Sequence, residues 1–129
     1  MLKKIFALSV VVVLFSAFIV AKNESRTNGI LQTDGKQLFM VNCGTCHHPT
    51  RDLTGPSFYG VRNRWKNKKL LYEYIKNSTA VIKKDPYAKQ LFEKWNKTIM
   101  TPFPKLTNAN IDAIFDYVDG EAKKKGLLN

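Results

Sequence analysis

Cys43-Gly44-Thr45-Cys46-His47 decides how this chain reads. Two thiols three residues apart at a helix end can each add to a vinyl group on one edge of the same porphyrin. The histidine that follows then presents an imidazole beneath the ring, where a nitrogen can bind iron axially. For this reason C-x-x-C-H is the attachment signature of c-type haem, one per chain here and covalently held. Two other readings fit less well. A tetrahedral zinc site needs more ligands, and the second histidine, His48, is the immediate neighbour of the first. A thioredoxin-like pair wants a βαβ context, whereas these flanks read as helix and loop. His48 itself reads as a surface residue beside the haem.

A six-coordinate iron needs a ligand on the opposite face. Met1 is the initiator, and Met40 precedes the motif on the same helix. Met100 is left, in Thr98-Ile99-Met100-Thr101-Pro102-Phe103-Pro104. Pro102 and Pro104 cannot continue a helix and bias Thr101 and Phe103 towards extended backbone. The result is a stiff loop suited to holding a thioether. Such a soft ligand favours ferrous iron and raises the reduction potential. Methionine is also common core filler, and that plainer role stays open for Met100 at this point.

Around these residues the pattern is helical. One helix is expected from Asp34 to Cys46 and a second from Asn67 to Asn77, with Leu70, Leu71, Tyr74 and Ile75 on one face. Asp85-Pro86 supplies an N-cap acceptor and a first-turn proline for a third. Ala88, Leu91, Phe92 and Trp95 form its apolar stripe. The fourth starts at Thr107 and carries Ile111, Ile114, Phe115 and Val118, with Lys123–Lys125 suiting its negative pole and Gly126 closing it. Pro49–Lys66 and Thr98–Leu106 read as long loops. No segment alternates cleanly enough for a sheet, so the expected fold is all-α.

The chain has 129 residues, enough for one domain, and 44% are hydrophobic, which supports a packed core. Two cysteines exclude a disulfide framework. Lys3 and Lys4 precede an uncharged apolar run, Ile5–Ala21, in the order of a secretory signal. Ile19 makes cleavage after Ala21 poor, and the run reaches the lower limit for a membrane-spanning helix. Residues 1–21 are therefore read as a signal peptide or an N-terminal membrane anchor. Both place the rest outside the cytoplasm, either periplasmic or anchored to the membrane facing the periplasm. Residues 22–33 read as a polar linker, and residues 34–126 as the folded domain.

Over about residues 34–120 the sequence resembles the single-haem class I cytochromes c. Gly35 and Phe39 look like the family's glycine and aromatic on the first helix. Ile114 and Tyr117 look like the last-helix residues that pack against them. Thr54-Gly55-Pro56 resembles the loop whose proline carbonyl accepts a hydrogen bond from the haem-binding imidazole, which implies that Pro56 orients His47. Met100-Thr101-Pro102-Phe103-Pro104-Lys105-Leu106 resembles the family's methionine loop. By the same resemblance Trp65, with Tyr59 or Arg64, binds a haem propionate. The chain departs from the family pattern at Asn108-Ala109-Asn110, where acidic residues are more usual. The resemblance implies a small cytochrome c fold, about four helices wrapped around one haem.

A haem with both axial positions filled has no vacancy for substrate, so the expected role is one-electron transfer in a respiratory chain rather than catalysis. A haem peroxidase, or a haem-based sensor or subunit of a larger respiratory complex, is the alternative if Met100 does not bind iron. There are 21 Lys and Arg against 10 Asp and Glu, a formal charge of +11. That charge suits acidic-surfaced redox partners such as a quinol-oxidising complex and a terminal oxidase or reductase. Arg62, Arg64, Lys66, Lys68 and Lys69 form the densest basic run. No recognition motif accompanies the charge, which disfavours nucleic acid.

Overall fold

The computed structural model describes residues 34–128. The expected signal or anchor at 1–21 and the linker at 22–33 lie outside the described residues. Six helices run through the described part: α1 (Gly35–Asn42), α2 (Val61–Arg64), α3 (Lys68–Lys76), α4 (Ser78–Ile82), α5 (Pro86–Lys94) and α6 (Asn108–Lys124). No strand occurs among the described residues. None of these helices is long and apolar enough to cross a membrane.

Every one of these helices except α2 starts where the sequence supplies a side-chain acceptor for its free N–H groups. Asp34 accepts from Lys36 N and Gln37 N, and Asn67 from Lys69 N and Leu70 N. Asp85 accepts from Ala88 N ahead of Pro86. Thr107 and Asn110 cap each other's backbone at the start of α6. Gly126, at φ 67°, lets the chain leave α6 in the left-handed region.

Two helices go beyond the four expected, and both are too short to show a period. α2 occupies four residues of the segment read as a loop, entered through Gly60 at φ 67°. α4 follows α3 directly, with Asn77 ending one helix and capping the next. α1 stops at Asn42 rather than Cys46. From there the motif turns, with His47 N donating to Cys43 O at 2.9 Å. This turn, rather than a continued helix, brings both cysteines and the imidazole to one side.

The core sits between α1 and α6, floored by α3 and α4. Phe39, Leu71, Val81, Ile111, Ile114, Phe115 and Val118 are almost wholly buried. Gly35 lies directly on the α6 backbone: a Cβ there would come 2.6 Å from the carbonyl carbon of Ala113 and closer still to its oxygen. The helices therefore cross at the Ala113–Ile114 backbone, as the glycine implied. Phe39 packs on Tyr117 and Phe58, with ring centroids 5.6 Å apart in each case.

Charged residues tie the connecting segments to α6. The Arg62 guanidinium donates to Asp116 and Asp119 at 2.7 Å each and to the Asp112 carbonyl at 3.1 Å, lying over the Phe115 ring. Tyr72 donates its hydroxyl to Asp112 at 2.6 Å. Arg62 thus belongs to the clamp between α2 and α6, and Arg64 donates to the Ser57 carbonyl at 2.6 Å. The densest basic run is partly spent on internal pairing, whereas Lys66 and Lys69 are exposed.

Candidate functional site

His47 is 9% exposed and stands edge-on to Phe58, with ring centroids 4.7 Å apart. Its Nδ1 lies 2.8 Å from the carbonyl oxygen of Pro56. A carbonyl only accepts, so Nδ1 carries the proton and Nε2 keeps its lone pair. Burial lowers the pKa of the ring, against the upward pull of the Pro56 hydrogen bond. The ring is thus held neutral, the form that binds metal. Gly55 N donates to Cys46 O at 2.8 Å, so the Thr54–Pro56 loop is pinned to the motif it serves. A Cβ at Gly55 would sit 2.8 Å from Nδ1 and closer to Cε1, so glycine is what lets the loop press flat on the imidazole.

Cys43 is buried and Cys46 exposed, both as free thiols. Burial pushes the Cys43 thiol up to about 12, which leaves little thiolate at neutral pH. Both cysteines line one hollow of about 390 Å³. A second hollow of about 330 Å³ shares with it His47, Pro56, Tyr74, Leu91, Trp95 and Met100. Together they form one cleft, with His47 and Met100 on its walls. The half nearer the cysteines has no charged lining residue; the other half includes Asp52, Arg64 and Lys94. Met40 is 57% exposed on α1 and lines neither half.

Trp65 is 7% exposed and lines the charged half, wedged between Tyr74 and Tyr87 at 5.1 Å from each ring. Arg64 lines the same half, and Tyr59 lines neither. Trp95 was not singled out by the sequence as a site residue. Its side chain lines both halves, and its indole Nε1 is buried with no hydrogen-bond partner. The signal for it was only an apolar stripe. α5 ends at Lys94, so Trp95 is a cap residue rather than a stripe member. Asn96 and Lys97, at φ 54° and 58°, then turn the chain towards Met100.

These features fit a covalent haem on three independent counts. Two free thiols share one wall of the cleft. A neutral imidazole with a free Nε2 faces it. A buried indole N–H in its wall lacks the acceptor that buried donors require, and haem carries carboxylates on the edge away from its thioethers.

A sequence model of the family described as cytochrome c matches residues 32–120. The chain belongs to the cytochrome c family. Among solved structures it is similar to a cytochrome c from Rhodothermus marinus, with 27% identity and a TM-score of 0.59, covering 75% of this chain and 81% of that one. An engineered Rhodothermus marinus cytochrome c, Rma TDE, shares the fold at 24% identity and a TM-score of 0.57, over 77% and 84% of the two chains. No curated protein sequence matches the chain. Membership brings covalently attached haem c and makes the protein a haem c electron carrier; Cys43 and Cys46 stand in the C-x-x-C-H pattern that such attachment uses. The all-α small cytochrome c fold expected from the sequence is the fold observed.

Proposed function

We propose that the protein carries single electrons in a respiratory chain outside the cytoplasm, on a haem whose iron is bound by His47 and Met100. The observation that carries this reading is that a neutral imidazole, with Nε2 free, and a thioether line the same cleft. When bound, the haem supplies one-electron exchange between ferric and ferrous iron. The chain's residues supply the rest. Pro56 keeps the proton on Nδ1 and the ring in place. Met100 offers a soft donor that favours the ferrous state. Phe58, Ile75 and Phe103 exclude water from the inner wall. Trp65 and Trp95, with Arg64, all lining the charged half, would take the carboxylate edge.

The net charge favours encounter with acidic-surfaced redox partners, for which a quinol-oxidising complex and a terminal oxidase or reductase are the matching classes. Residues 5–21 would direct export or hold the domain at the membrane.

The test is the absorption spectrum in both oxidation states. A methionine-to-iron charge-transfer band in the ferric protein supports the carrier. A high-spin ferric spectrum would favour the peroxidase or sensor instead. Colour that stays with the protein through acid–acetone extraction reports the two thioether bonds.

A further inference from the structure

We infer that Ser78 is a positioning residue for Met100, latching the methionine loop so that the thioether stays at the iron; this rests on the proposed Met100 ligation. Ser78 is 1% exposed, an uncommon place for a hydroxyl. It is the first residue of α4, one position after the cap. Here Asn77 does the capping, accepting from Ala80 N. The Ser78 Oγ instead donates to the carbonyl oxygen of Met100 at 2.8 Å.

The loop has few other ties. Thr98 N donates to Trp95 O and Leu106 N to Phe103 O, both local bonds. Phe103 N donates to Ile75 O at 3.1 Å. Ser78 and Ile75 thus hold the loop to the α3–α4 segment at two points three residues apart. The Ile75 bond fixes Phe103, and the Ser78 bond fixes Met100 itself. A hydrogen bond to the Met100 carbonyl sets its peptide plane and so the direction of its side chain. Losing that bond would leave a half-buried carbonyl poorly paired in the closed loop only, because an open loop is freely hydrated. The open fraction, in which the iron accepts an outside ligand, rises accordingly. Apparent affinity for that ligand rises by the same factor.

The experiment titrates imidazole into the ferric holoprotein and follows loss of the charge-transfer band. Ser78→Ala should bind imidazole roughly three- to tenfold more tightly than the parent, the span expected for one net hydrogen bond. Val81→Ala is the control: Val81 is equally buried on α4 and lines no part of the cleft. It should lower the thermal midpoint at least as much and leave imidazole affinity within about twofold. Ser78→Gly, which removes the same donor, is read in the same way if the alanine variant is not recovered with haem. An affinity unchanged in the Ser78 variants, or a shift matched by Val81→Ala, overturns the inference. If the parent has the band, Met100→Ala loses it and Ser78→Ala is unaffected, the latch alone is wrong. If the parent has no band, Met100 ligation is wrong and the latch falls with it.

Discussion

His47 Nδ1 and the carbonyl oxygen of Pro56 meet at 2.8 Å across nine positions of chain. That one bond fixes both the tautomer and the tilt of the imidazole. It is possible only because Gly55 adds no Cβ against the ring. Gly55→Ala should therefore push the ring or the loop aside. The expected result is a loss of about 1–3 kcal/mol in stability, as for other overpacked sites, together with a shifted absorption spectrum. An unchanged denaturation midpoint with an unchanged spectrum would show that the loop has room to spare.

Met100→Ala should remove the charge-transfer band, lower the midpoint potential and open the iron to carbon monoxide and peroxide, with some gain in peroxidase activity. The prolines at 102 and 104 stiffen the loop, so no neighbouring side chain should easily replace the thioether. Met40→Leu is the comparison, since Met40 lines neither half of the cleft and is largely exposed. Retention of the band in Met100→Ala with its loss in Met40→Leu would reverse the assignment.

Legibility in the sequence followed the range of the interaction. The five-residue motif, the Asp85-Pro86 helix start and the long apolar stripe of α6 are local, and each was readable from spacing. The Gly35 contact and the Pro56 carbonyl were readable only through family resemblance, because residues far apart in sequence meet there. α2 and α4 were missed because four or five residues carry no period. Arg62 looked like part of an open basic patch. Its partners Asp116 and Asp119 lie more than fifty residues away, and no local pattern announces them. Trp95 and Ser78 were missed for a related reason: one read as a stripe residue and the other fell between two expected helices, and only packing shows where their polar atoms go.

Trp95 allows a direct spectroscopic prediction. The chain has two tryptophans, so Trp65→Phe leaves Trp95 as the only indole. In the holoprotein the vibration of its N–H should report a hydrogen bond, since the cleft wall gives this buried donor no protein acceptor. Ultraviolet resonance Raman spectroscopy of that variant makes the measurement. A free N–H in the holoprotein would mean that Trp95 does not reach the haem carboxylates.

The last prediction concerns acid. Burial alone would raise the pKa of Asp112, but the Tyr72 hydroxyl and the Lys68 ammonium outweigh it and hold the carboxyl below its ordinary 3.8. A folded pKa below the unfolded one means that the ion contributes stability above about 3.8, and that this is lost as pH falls through the lower folded value. Asp112 is 38% exposed, so solvent screening limits the effect to under ~1 kcal/mol. Asp112→Asn should therefore lower the thermal midpoint near neutral pH by a few degrees at most. The gap between parent and variant should hold down to about pH 4 and close below it. Haem-linked acid changes are common to both proteins and cancel in the comparison. A gap that widens as pH falls would show that Asp112 is destabilised as an ion, and that burial outweighs its partners.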